Sequence, residues 1–420
     1  MNSGVGARYG LPGAGRVVVL ACVLAATLGL QTCSFRAQPA QIVLSVGIRT
    51  ACAVLADGTA ACWGANDQGQ LGNGTTDSLV HTPTLVSGLT DAVAIGTSTN
   101  HACALTASGH VECWGSNVRG TLGDETQDPH STPALVHGPL PGQILGSVTA
   151  LGVGAGHSCA VDAAGAVYCW GMNEFGQLGN GDGTDRLIAT PVSTPTGFRF
   201  VDVAVGRYHV CALTRNGMVY CWGANDHDQL GNGTGLPSAV PVLVADIWHA
   251  RTIGAGANHT CVVLSILSRR TSHCWGASDG SYGESLPQPD LTSLERASGG
   301  AHHTCALDQS GRVYCWGSNI NHQLGTPDAV GSTTTSCPVR DPDPSHCISP
   351  PRLMASGVAV LATGDTTTCV TTSHGQIRCW GDNLSGLAGS GAPQDSSSFF
   401  VDSATPRLAD LPGVGTARVP

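Results

Sequence analysis

Lysine is absent from this chain; all 19 basic residues among its 420 are arginines. The absence excludes a phosphate-loop lysine, a Schiff-base lysine and a Ser-Lys dyad. Charge of either sign is scarce, at 11% of residues, and acids outnumber bases to leave a net charge of -10. A protein that grips nucleic acid needs a basic surface to release counterions, so this balance excludes nucleic acid as the partner. His-Glu-x-x-His and the sialidase-type box Ser-x-Asp-x-Gly-x-x-Trp are both missing. No catalytic residue and no cofactor is therefore assigned, and the chain is read as a non-enzyme. Also missing is any long segment with helical apolar periodicity, whereas glycine (57) and proline (23) are plentiful, a composition that belongs to a large β protein.

What the chain does have is one unit written seven times. A cysteine, a short run and then Cys-Trp-Gly recur, with the tryptophans at Trp63, Trp114, Trp170, Trp222, Trp275, Trp316 and Trp380 and gaps of 51, 56, 52, 53, 41 and 64 residues. That period fits a multi-stranded supersecondary unit and is too long for a heptad or a helical hairpin. Gly-x-x-His-x-Cys leads into most copies, and x-Asn, Leu-Gly and a later Thr-Pro follow. In the first copy, Cys52 to Gly64, short β-compatible runs flank Asp57-Gly58, which predicts a hairpin whose turn needs a left-handed residue. With Gly58 in that position of a three-residue loop, Leu55 closes against Thr59. Cys52 then falls opposite Cys62 at a non-hydrogen-bonded pair, where side chains sit closest. A direct cross-strand disulfide fits there.

The same spacing predicts Cys103 with Cys113, Cys159 with Cys169, Cys211 with Cys221, Cys305 with Cys315 and Cys369 with Cys379, and it lengthens for Cys261 with Cys274. Cys337 and Cys347 form a further pair between the sixth and seventh hairpins. These pairs use 16 of 18 cysteines, a usage that belongs to an oxidising compartment. Zinc competes, because His101, His157, His209, His259 and His303 stand two residues before the first cysteine of their copies and share its strand face. Structural zinc sites favour Cys-x-x-Cys spacing, which never occurs here, so no metal is assigned. The histidines are expected to bond neighbouring backbone.

Arg8 and Arg16 precede an apolar run from Val17 to Leu30, long enough for a signal-peptide core and short for a membrane span. Residues 1–40 are read as a signal peptide or lipoprotein-type leader. Leu30-Gln31-Thr32-Cys33 resembles a bacterial lipobox and makes Cys33 the candidate for lipidation and a lipid anchor; cleavage near Ala37 or Ala40 is the alternative. In either case the rest of the chain is expected outside the cytoplasm, secreted or as a cell-envelope lipoprotein.

Residues 41–420 give about 54 residues per unit, which suits a four-stranded blade. The expected fold is all-β, a single seven-bladed β-propeller with the seven tryptophans wedged between neighbouring sheets. Thr405-Pro406-Arg407-Leu408 matches Thr82-Pro83-Thr84-Leu85, yet no eighth hairpin follows. Gln41 to Gly47 resembles the segment before each other hairpin. The N- and C-terminal segments are therefore expected to pair, the N-terminal strand completing the sheet the C-terminus leaves open and removing its edges.

Tyr168 to Gly181 (YCWGMNEFGQLGNG) carries a family resemblance. It is similar to the repeat of the regulator of chromosome condensation family, in a cysteine-rich form found in bacterial exported proteins. The resemblance spans nearly all of residues 41–420 and implies the same seven-bladed propeller. The fifth copy departs from it, with Ser278 for Asn and Tyr282-Gly283 for Leu-Gly, as does the seventh, with Ala388-Gly389. The family's eukaryotic founder acts on chromatin and as a guanine-nucleotide exchange factor for a nuclear-transport GTPase. That activity by analogy is the weakest reading here, since such a partner lies in another compartment and fold carries function poorly.

Rigid blades with varied loops make binding the leading reading. Pro351 lies 26 residues beyond Gly325, whereas Pro83 lies 11 beyond Gly72. The excess, an insertion at about 326–350, holds the Cys337–Cys347 segment, with Arg340, Asp341, Asp343 and His346 as candidate binding residues. Proline and a disulfide would stiffen it and lower the entropy lost on docking. The other departure is the longer fifth hairpin with Arg269 and Arg270, which antiparallel topology sends to the opposite face. Asn180, Asp182 and Asp185 form a glycine-rich loop that lacks the late bidentate Glu of a calcium site. The chain is thus read as an exported or cell-surface monomer that engages an unidentified extracytoplasmic protein or glycan. The alternative is a polysaccharide-acting enzyme with two channel carboxylates about 5 to 10 Å apart.

Overall fold

A computed structural model describes residues 43–387 apart from 141, 195–196, 268, 278–290, 326–346 and 374. The hairpin seen in the sequence is the seed of every sheet. Leu55 N donates to Thr59 O at 2.7 Å, and Gly58 turns at φ +87°. This sets Cys52 opposite Cys62. Among the described residues, seven such hairpins each acquire an inner strand before them and, in five blades, an outer strand after them, always antiparallel and in chain order.

Blade one holds β1 (Val43–Val46), β2 (Thr50–Val54), β3 (Ala60–Ala65) and β4 (Leu79–Leu85). Blade two holds β5 (Ala92–Thr97), β6 (His101–Thr106), β7 (Val111–Gly115) and β8 (His130–Leu135). Blade three holds β9 (Val148–Val153), β10 (His157–Asp162), β11 (Val167–Gly171) and β12 (Arg186–Pro191). Blade four holds β13 (Phe200–Val205), β14 (His209–Thr214), β15 (Val219–Gly223) and β16 (Ser238–Leu243). Blade five holds β17 (Ala250–Ala255), β18 (His259–Ile266) and β19 (Arg269–Gly276). Blade six holds β20 (Leu294–Gly299), β21 (His303–Asp308), β22 (Val313–Ser318) and β23 (Cys347–Ala355). Blade seven holds β24 (Val358–Thr363), β25 (Thr367–Thr372) and β26 (Ile377–Gly381).

Inner strands of successive blades meet around a central channel. Outer strands accommodate the Thr-Pro signature, because proline cannot donate to a ladder and is tolerated at an edge; Pro83, Pro133, Pro191 and Pro241 all lie in these strands. Seven disulfides staple the hairpins, Cys52–Cys62, Cys103–Cys113, Cys159–Cys169, Cys211–Cys221, Cys261–Cys274, Cys305–Cys315 and Cys369–Cys379, with Cα atoms 4.0 to 4.1 Å apart. Cys33 and Cys337 lie outside the described residues.

The core is distributed as seven apolar clusters, one between each pair of neighbouring blades. A repeat tryptophan sits in or against each cluster. Its indole N–H reaches the preceding blade, as Trp114 does to Gln70 O at 3.0 Å and Trp222 to Gln177 O at 3.0 Å. The Gly of Leu-Gly makes room for the ring: a Cβ on Gly179, whose φ is +66°, would stand 2.7 Å from Trp222 Nε1. The repeat Asn is buried and holds the loop beyond it, with Leu71 N donating to Asn66 Oδ1 at 3.0 Å and Leu178 N to Asn173 Oδ1 at 2.9 Å.

Ring closure departs from the sequence expectation. Gln41 to Gly47 does supply a strand, but β1 pairs with β2 of its own blade, Ser45 opposite Cys52, and does not complete blade seven. Among the described residues the seam is closed by packing. Trp63, Leu44 and Val46 share a cluster with Val360, Ala362 and Leu387, and Trp63 Nε1 donates to Leu387 O at 2.8 Å. The reason is register: β1 precedes its hairpin by a loop as short as those of the other blades, which confines it to the adjacent ladder. The C-terminal Thr405 to Leu408 lies outside the described residues.

Candidate binding faces and the channel

Antiparallel strands divide the molecule into two faces. The loop face carries the links after each inner strand and the loops after each Cys-Trp-Gly. The hairpin face carries the turns within each disulfide-linked pair and the links between blades. The described ends of the 326–350 insertion both lie at the loop face: Gly325 packs against Trp380, and Cys347 opens β23 opposite Ser318. Arg340, Asp341, Asp343 and His346 themselves lie outside the described residues, as does the Cys337–Cys347 pair.

At the loop face the channel opens between the inner-strand ends and the residues just after them. Glycine is required at this rim. A Cβ on Gly154 would crowd Gly206 O at 2.5 Å, and one on Gly300 would crowd Gly364 O at 2.6 Å. Across the opening Arg207 Nη2 meets Asp365 Oδ2 at 2.5 Å, joining blades four and seven, which do not touch in the ring. Burial raises the Asp365 carboxyl above its ordinary pKa, and the attraction of Arg207 offsets only part of this. Asp365 is the one carboxylate among the residues lining this opening, so the pair of carboxylates a glycosidase needs is not assembled there.

The repeat histidines form a buried belt. Contrary to the sequence expectation, the partners of His101, His209, His259 and His303 at Nε2 are hydroxyls of the next blade and not neighbouring backbone, and His101 Nδ1 also meets Ser98 Oγ of its own blade at 3.2 Å. His101 Nε2 meets Ser158 Oγ at 3.1 Å, His209 meets Thr260 Oγ1 at 2.8 Å, His259 meets Thr304 Oγ1 at 2.9 Å and His303 meets Thr368 Oγ1 at 2.9 Å. Thr368 spends its own proton on Gln323 O at 2.8 Å, so it accepts from His303 and assigns that proton to Nε2. Where the next blade offers Val210, His157 has neither ring nitrogen paired. Burial holds His101 down at about 4 and His157, His209 and His303 at about 3. Among the described residues no group of three or more His, Cys, Asp or Glu is placed to hold a metal.

The glycine-rich loop at Asn180 spends its oxygens internally. Asp182 pairs with Arg186 at 2.5 Å, and Asp185 Oδ1 accepts from Asn173 N at 2.8 Å. A Gly-x-Ser-x-Gly string does occur, Gly276 to Gly280, beginning at the end of β19. Ser278 and the residues that follow it to 290 lie outside the described residues.

Residues 14–285 match the RCC1-like domain, and residues 297–323 and 358–386 match the regulator of chromosome condensation (RCC1) repeat. The chain belongs to the RCC1-like family. It is 28% identical over 373 residues to the ultraviolet-B receptor UVR8 of Arabidopsis thaliana, covering 84% of this chain and 80% of the receptor. It is 29% identical over 390 residues to the human E3 ubiquitin-protein ligase HERC2, covering 91% of this chain but 7% of that protein's length. Among solved structures, Prp20p of Saccharomyces cerevisiae, described with its binding properties to Gsp1p and histones, superposes with a TM-score of 0.68 at 22% identity over 84% of this chain and 85% of that one. The last likeness bears on the RCC1-like fold alone.

Sequence reasoning missed the Arg207–Asp365 bridge and the direction of the histidine bonds. The signal for the bridge is the position after the repeat Gly, or after Ser98 in blade two, which reads Ile48, Thr99, Ala155, Arg207, Ala257, Ala301 and Asp365 around the ring. Opposite charges occur there once each.

Proposed function

We propose that this chain is an exported or cell-surface, non-catalytic scaffold that binds a protein or glycan through its loop face. The observation that carries this reading is the insertion at 326–350, anchored at both ends on a face whose channel is bridged by an ion pair. Seven hairpin disulfides suit the oxidising compartment an exported protein meets. Similar propellers lend weight to a protein partner, Prp20p being described with binding to Gsp1p and histones. The test is capture from envelope and culture fluid by residues 41–420 beside a variant whose Cys337 to Cys347 segment is replaced by a short Gly-Ser link. A partner held by the first and lost by the second is the expected result. Recovery of the same partner by both would remove the insertion from the interface.

Two other readings have their own assays. Hydrolysis of an envelope polysaccharide that disappears in Asp365→Asn would favour the enzyme reading. Accelerated nucleotide release from a nuclear-transport GTPase would favour exchange activity by family analogy.

A further inference from the structure

The hairpin face of blades four and five differs from the rest of the molecule. The turns of blades one, two, four and six read Asp57-Gly58, Ser108-Gly109, Asn216-Gly217 and Ser310-Gly311, all polar. Blade five replaces this with a longer hairpin whose end carries Ile266 and Leu267, 47% and 94% exposed. Beside it, in the link between blades four and five, stands the one tryptophan outside the repeat, Trp248, 54% exposed. The two are neighbours, because Ser265 N donates to His249 O at 3.1 Å. A large exposed indole and a protruding aliphatic pair gain nothing from water.

The same rim is basic on a protein of net charge -10. Arg199, Arg215, Arg251 and Arg269 are exposed. Arg215 N donates to Arg199 O at 3.2 Å, which makes those two adjacent. Among the described residues none of the four has an ion-pair partner, whereas Arg49, Arg119, Arg186, Arg207 and Arg312 elsewhere do. Among the described residues the exposed carboxylates of this stretch are fewer, Asp246 and Glu295.

Apolar tip, interfacial tryptophan and unpaired arginines together match one occupant. We propose that the hairpin face of blades four and five docks on an anionic lipid bilayer, Ile266 and Leu267 entering the interface while Trp248 and the arginines lie at headgroup level. An acidic polysaccharide would satisfy the arginines but offers no apolar phase to the tip. This inference goes beyond the loop-face reading and leaves that face pointing away from the membrane.

Residues 41–420, which retain every described strand, would be sedimented with vesicles of phosphatidylcholine alone or mixed with phosphatidylglycerol. Binding to the anionic vesicles is expected, weakened by salt, with a blue shift of tryptophan emission that Trp248→Phe abolishes, the variant separating Trp248 from the half-buried Trp275 while the other six repeat tryptophans are buried. Ile266→Asp with Leu267→Asp should weaken binding by at least about tenfold, and Arg269→Ala by roughly fivefold, with melting temperature as the control for folding. Unchanged binding by the double variant, no binding to phosphatidylglycerol, or preference for soluble polygalacturonate over vesicles would each overturn the proposal. Partner capture by the Gly-Ser loop variant is read separately, so the two ideas fail independently.

Discussion

At the scale of single residues, the repeat letters are contacts with the next blade. His157 exposes the rule by breaking it: the position that is Ser158, Thr260, Thr304 or Thr368 for other histidines is Val210 for this one. Val210→Thr should therefore stabilise the protein by about 1 kcal/mol, the net worth of a buried hydrogen bond. Denaturant unfolding checks it; a loss of stability would mean the hydroxyl cannot reach the ring. Glycines separate in the same way. Gly179→Ala combines a left-handed backbone with a collision against Trp222 and should cost more than about 2 kcal/mol. Gly233 has φ +71° but nothing within 4 Å of a new Cβ. Gly233→Ala should cost only about 1 kcal/mol, so equal losses at the two sites would contradict the packing role given to Gly179.

At the scale of the element, each hairpin is closed twice, by its turn and by its disulfide. A bridge across about ten residues removes little unfolded-state entropy, so one disulfide is worth at most about 3 kcal/mol. The inter-blade clusters hold the rest. Cys211→Ala with Cys221→Ala should lower the melting temperature while far-UV circular dichroism keeps its β signature. Loss of all folded signal at room temperature would place the disulfides above the core in the ranking.

At the scale of the whole molecule, the histidine belt couples stability to pH. Neutral burial depresses the folded-state pKa of His101, His157, His209 and His303. The unfolded chain thus binds more protons than the native one between about pH 6.5 and about pH 4. Stability is flat with respect to these groups above 6.5 and is lost as pH falls through that window. Each histidine contributes a slope of about 1.4 kcal/mol per pH unit, or roughly 5 for the four together. Stability measured at pH 7.5, 6 and 5 should fall steeply across the last interval. Replacing His303 by Gln should reduce the slope, and an unchanged slope would remove the belt from the account.

The blade count, the hairpin register and seven local disulfides are all legible in the order of the residues. Turn geometry and strand alternation act within about ten residues, and Gly58, Leu55 and Thr59 suffice to align Cys52 with Cys62. The tertiary structure decided what no local period encodes. Packing of blade one against blade seven closed the seam; the angle between sheets aimed His101, His209, His259 and His303 at the next blade's hydroxyls; and closure of the ring brought Arg207 to Asp365 across 158 residues of chain. The clustering of Trp248, Ile266, Leu267 and the unpaired arginines arose in the same way, because residues scattered through blades four and five share a rim only once antiparallel strands have sent every hairpin turn to one face.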